Sequence, residues 1–232
     1  QGVSETVFKL SAVVLLVAIG AACTTSPTNR RQFVLYSEAE MARQGEGAYR
    51  QMRSNLTVSS DPSETTYVQC VADYVIGALE PTQQAANRWE VTVFDSPQAN
   101  AFALPGGKIG VYTGLLDVAY NRDQLAAVLA HEVGHVLAQH GNERASRSAL
   151  RSAGIAAARV LGASTRTVQA IDYGSQLGLQ LPFDRAQESE ADAIGLMLMA
   201  RAGFDPEQSI ALWENMNADA GPRPPEFLAT HP

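Results

Sequence analysis

The stretch His131-Glu132-Val133-Gly134-His135 carries residue types and a spacing that converge on one reaction. At about 100° per residue, two histidines four apart on a helix lie about 40° apart around it and one turn apart along it, so both imidazoles can reach one ion. Glu132 sits about 100° from His131, near enough to reach a water beside that ion but badly placed to be a ligand alongside both histidines. Metal-assisted hydrolysis needs this division of labour: imidazoles to hold zinc and a carboxylate to move a proton. The bland alternative is a helix with two surface histidines. Against it stand a capping pair, Asn121 and Gln124, and an apolar approach through Leu125, Val128 and Leu129.

Zinc takes a third protein ligand in catalytic sites. Only Cys23 and Cys70 are present, too few for a cysteine-rich module, so the ligand must be a histidine or a carboxylate. Gln187-Glu188-Ser189-Glu190-Ala191-Asp192 offers three carboxylates ahead of the apolar run Ile194, Leu196, Met197, Leu198 and Met199. Glu188 and Asp192 share a helix face, whereas Glu190 points about 200° away from Glu188, so one glutamate alone can face the ion. The competing reading is a solvated acidic first turn placed against the helix dipole. His140, about 180° around a continuous helix from His131, is expected at the surface.

Several elements must position these groups. Ser37 with Glu40 forms a capping-box pattern and predicts a helix over residues 38–55. Asp61, Pro62 and Glu64 open a second helix, with Val68, Val71, Val75 and Leu79 at helical spacing. Cys70 is expected there as a packed thiol. Alternation in Trp89–Asp95 predicts a strand, and Pro105-Gly106-Gly107 splits two further extended stretches, residues 100–104 and 108–113, giving a small antiparallel sheet. Residues 145–180, rich in Ala, Ser, Gly and Arg, read as a helix followed by a connection.

The chain has 232 residues, 46% of them apolar, and a formal charge of -7. It can bury a core and presents no basic stripe, which argues against nucleic acid as a partner. The apolar run 10–22 follows Lys9, precedes Cys23, and is shorter than the roughly 20 residues that a spanning helix needs. We expect a signal peptide over residues 1–22, a lipid on Cys23 with a polar tether to residue 36, and a folded domain over residues 37–232. The expected location is the periplasmic side of a bacterial cell envelope, as a membrane-anchored lipoprotein.

Taken together, these motifs resemble the zinc metallopeptidase family M48, which includes HtpX, the Oma-type mitochondrial proteases, the CAAX prenyl proteases and the BepA-like periplasmic proteins. The resemblance rests on HExxH at residues 131–135 with ExxxD at residues 188–192, on Asn100–Gly107 with Gly114-Leu115-Leu116, and on Thr230-His231-Pro232. It implies a mainly α, gluzincin-like α+β fold, with the small sheet beside the HExxH helix. His131, His135 and Glu188 would hold one zinc ion, Glu132 would be the general base, and Asp192 would orient a ligating histidine. His231 would be a fourth ligand or an oxyanion stabiliser. The strand edge at Asn100, Ala101, Phe102 and Ala103 would receive an extended polypeptide. Hydrolysis of extended or misfolded envelope proteins is the expected function. An assembly factor or holdase using the same cleft is the alternative, and a structural zinc lipoprotein a third reading. The stop at Pro232 without a closing helix leads us to expect a further C-terminal part.

Overall fold

The computed structural model describes residues 23–175, residues 181–219 and Phe227. The expected signal peptide and His231 lie outside the described residues. Helix α1 (Glu38–Asn55) starts as its capping box dictates: Glu40 accepts the Ser37 N–H at 2.9 Å while the Ser37 hydroxyl accepts the Glu40 N–H. Helix α2 (Pro62–Gly77) is capped by Asp61, which accepts the Ser63 N–H at 2.7 Å. It buries Val68, Val71 and Val75. Cys70 is exposed, contrary to expectation, because it lies about 200° around the helix from Val68. A short helix α3 (Pro81–Ala86) leads into the sheet.

Strands β3 (Glu90–Phe94), β4 (Ala101–Leu104) and β5 (Lys108–Tyr112) take the order β3-β5-β4. β4 and β5 form the antiparallel hairpin, turning through Gly106 and Gly107 at φ 89° and 83°, a region that favours glycine. β3 departs from the expected wholly antiparallel sheet: it pairs parallel to β5, with Val91 opposite Ile109. Placing β3 on the far side of β5 leaves β4 as an edge, with its outer side towards the helices.

After α4 (Thr113–Leu116) comes α5 (Arg122–Leu137), whose cap Asn121 accepts the Gln124 N–H at 2.9 Å. Every residue from Gln124 to His135 is buried, so this helix runs through the core instead of over it. Leu125, Val128 and Leu129 join one cluster with Val71 and Val75 of α2, Ile109 and Val111 of β5, and residues of the later helices. Each such side chain contributes roughly 1.5–3 kcal/mol by leaving water. The segment read as a helix and a connection is two helices, α6 (His140–Val160) and α7 (Thr165–Ser175). They are followed by α8 (Leu181–Ala202) and α9 (Gln208–Asp219).

The expected tether is folded. Residues 23–36 include β1 (Cys23–Thr25) and β2 (Arg31–Phe33), an antiparallel hairpin. Its Arg30 makes ion pairs with Glu143 of α6 and Glu190 of α8. No helix among the described residues is long and apolar enough to cross a membrane.

Candidate metal centre

Two backbones in contact bring the site together. A Cβ on Gly134 of α5 would stand 2.9 Å from the carbonyl oxygen of Ala191, and one on Gly195 of α8 would stand 3.0 Å from the backbone nitrogen of His131. With glycine at position 134 of α5 and at position 195 of α8, the helices approach closely enough for Glu188 to reach both histidines. The Nε2 atoms of His131 and His135 are 3.0 Å apart. Glu188 places its oxygens 3.3 Å from the first and 3.5 Å from the second. Ligands bonded at about 2.0–2.2 Å in a tetrahedral zinc site lie about 3.3–3.5 Å from one another, so this donor set fits the ion.

The far nitrogens agree with that fit. His131 directs Nδ1 at Asp192 Oδ1, 2.9 Å away, so it keeps a proton there, and a metal that displaced the proton on Nε2 would find an electron pair at that nitrogen. Burial works against a charge on His131. The hydrogen bonds to Asp192 and Glu188, with the charge of Glu132, outweigh it and push its pKa up to about 9. A pocket that stabilises positive charge so strongly suits a cation. Burial pulls His135 below its ordinary value.

Glu132 is buried behind the pair and accepts the Ala103 N–H at 2.9 Å. The general-base candidate is thereby tied to the edge strand β4. Of the expected edge residues, Ala101, Phe102 and Ala103 lie in β4 and Asn100 just precedes it. A cleft of about 780 Å³ opens beside this edge, lined by Ala103, Leu104 and His135 with Met41 and Ala42 of α1.

His140 is the residue that local reasoning misplaced, and the buried partners of Glu190 are what it missed. The surface position expected for His140 is wrong: it is fully buried, with Nδ1 2.8 Å from His135 Nδ1 and Nε2 3.1 Å from Glu190 Oε2. The angle that put it at the surface assumed one continuous helix. In fact α5 ends at Leu137 and Gln139 adopts the left-handed conformation at φ 53°, which folds His140 back against His135. Burial first, and then the nearby His135, depress its pKa to about 4. Nor do the acidic residues form a solvated first turn, because α8 begins seven residues before Glu188. Glu190 does face away from Glu188, but into a buried cluster. Burial raises its pKa, yet hydrogen bonds from Ser26, Thr28, His140 and Arg30 prevail and bring it to about 2.

Residues 62–232 match the family model described as Peptidase family M48. The mitochondrial metalloendopeptidase OMA1 of Schizosaccharomyces pombe is 38% identical over 211 residues, covering 88% of this chain and 61% of its own length. That of Saccharomyces cerevisiae is 41% identical over 154 residues, covering 62% of this chain and 44% of its own. The beta-barrel assembly-enhancing protease of Escherichia coli is 30% identical over 199 residues, covering 81% and 40%. The chain thus spans 40–61% of the length of these relatives.

These matches overturn the expected periplasmic location in a bacterial envelope, since the mitochondrial relatives share more identity with the chain than the bacterial one does. That expectation rested on a short apolar run before a cysteine, and such a run does not distinguish compartments. The lipid anchor drawn from the same run gains no support, and Cys23 pairs through its backbone with Phe33. The motifs around the buried helix α5 remain: with its HExxH and ExxxD inside the matched span, the chain belongs to Peptidase family M48.

Proposed function

We propose that this protein is a zinc endopeptidase that cleaves extended segments of unfolded or misfolded polypeptides. The observation that carries the proposal is the convergence of His131, His135 and Glu188 within 3.0–3.5 Å, beside a glutamate that an edge-strand amide holds. Zinc, when bound, supplies the Lewis acidity that polarises a carbonyl and makes water ionisable near neutral pH. His131, His135 and Glu188 hold it. Glu132 takes the proton of the attacking water and passes it to the leaving amine. The outer edge of β4 aligns the substrate by main-chain hydrogen bonds and leaves its sequence largely unread. Asp192 orients His131.

The test is Glu132→Gln, which keeps shape and hydrogen bonding but removes the base. Zinc content and folding are expected to survive, while casein cleavage falls by about 10²- to 10⁴-fold. Undiminished cleavage would sink the proposal. Full cellular function by the inactive variant would favour the assembly-factor reading.

A further inference from the structure

The two histidines of the site are oriented differently. His131 reaches a carboxylate directly, through Asp192. His135 has at its Nδ1 another imidazole, His140, which in turn meets Glu190. We infer that His140 is a positioning residue, which passes the orienting effect of Glu190 to His135 and fixes the tautomer in which His135 can bind metal.

The proton count leaves a single arrangement. His135 can offer Nε2 to a metal only if its proton is on Nδ1. That proton must then be donated to His140 Nδ1, 2.8 Å away, which requires an electron pair there. A neutral His140 with a bare Nδ1 carries its own proton on Nε2, where the Glu190 carboxylate accepts it at 3.1 Å. The opposite tautomer would set two N–H groups against each other and would leave the carboxylate facing a lone pair.

Glu190 is held in place in turn. Arg30 donates from Nε to its Oε2 at 2.6 Å, and Thr28 donates to the other oxygen. The same guanidinium grips Glu143 with both terminal nitrogens, at 3.0 and 2.5 Å. Paired donation of this kind fixes orientation as well as charge. Arg30 and Thr28 belong to the N-terminal hairpin, ahead of the residues that match the family model. The chain of contacts therefore runs from that hairpin through Glu190 and the fully buried His140 to the imidazole of His135. Carboxylates behind ligating histidines typically contribute about 10- to 100-fold to metal affinity, and here the effect passes through one more ring.

The inference rests on the reading of His131, His135 and Glu188 as metal ligands. Its test measures zinc affinity by chelator competition on the whole chain and its His140→Phe and His140→Gln variants. Folding of the zinc-free proteins is followed by circular dichroism. Phe keeps the volume but accepts nothing, and is expected to weaken zinc binding about 10- to 100-fold. Gln can accept from His135 and donate to Glu190 with the same group, and is expected to restore most of the affinity. A folded His140→Phe variant that binds zinc as the native chain does would overturn the inference. So would equal losses in both variants. If the native chain binds no zinc, the ligand assignment itself falls. Imidazole ¹⁵N shifts of the zinc-loaded native chain decide the matter if the Phe variant does not fold. A proton on Nε2 of His140 is expected, and one on its Nδ1 overturns the inference.

Discussion

A methyl group on Gly195 would stand 3.0 Å from the backbone nitrogen of His131, so α8 crosses α5 at backbone contact directly over the first histidine of the site. Gly195 and Glu188 are seven residues apart, about 20° from eclipsed on one helix face. Ala191 lies between them against Gly134. The crossing and the carboxylate are thus set by one face of α8.

Gly195→Ala is accordingly expected to force the helices apart, destabilising the protein by about 1–3 kcal/mol and weakening zinc binding with it. Gly154→Ala, on an exposed stretch of α6 with nothing within 4 Å of the added methyl, is the control. It should be neutral or stabilising by about 0.5–1 kcal/mol, the ordinary helix preference for alanine. Denaturant unfolding and chelator competition measure both. Unchanged zinc affinity in Gly195→Ala would show that the close crossing does not set the site.

The two outer carboxylates of the ExxxD segment differ in role. Glu188→Ala removes a group that meets both imidazoles and is expected to leave the purified protein without stoichiometric zinc. Asp192→Ala leaves the donor set intact but frees the His131 ring, so affinity should fall by about 10- to 100-fold. Metal analysis and competition titration separate the two outcomes. Stoichiometric zinc in Glu188→Ala would remove that residue from the site.

Helical geometry made the centre legible in the sequence. His131, His135, Glu188 and Asp192 come from two segments whose internal spacing is set by 3.6 residues per turn, and the segments' meeting is all that the fold had to add. Ser37, Asp61 and Asn121 likewise mark their helix starts through local side-chain bonds. What local reading missed depends on distant partners. Nothing near Glu190 announces Arg30, 160 residues upstream, and the break at Gln139 carries neither glycine nor proline. The parallel pairing of β3 depends on the side of β5 it reaches, which alternation along a strand does not encode.

Glu190 also gives a pH dependence. Its folded pKa of about 2 lies below the ordinary 4.5, so the stability it contributes is fully present above pH 4.5 and is lost as pH falls towards 2. Arg30→Met removes a main cationic donor and is expected to raise that pKa, moving the acid-induced loss to higher pH. Urea unfolding of the zinc-free protein at a series of pH values measures this. Parallel acid limbs in the two proteins would mean that the Arg30 contact does not hold Glu190 ionised.

The last prediction concerns the bond between strand and base. Ala103 sends its N–H to Glu132 and not to β5, so Ala103→Pro removes that donor without breaking a ladder bond, and proline is tolerated on a sheet edge. The amide is bonded to Glu132, which is not among the proposed metal ligands, so zinc content is expected to stay stoichiometric. Cleavage should fall by about 10- to 100-fold, the weight of one hydrogen bond to a charged group. The loss should appear in kcat, because an ill-held Glu132 is a poorer base, and part of it in KM, because the same edge would also align substrate less well. Ala103→Val, which keeps the N–H, is the steric control and should retain most of the activity. Equal losses from Pro and Val would trace the effect to crowding in the cleft. A Pro variant as active as the native chain would mean that Glu132 takes its position from the α5 backbone alone.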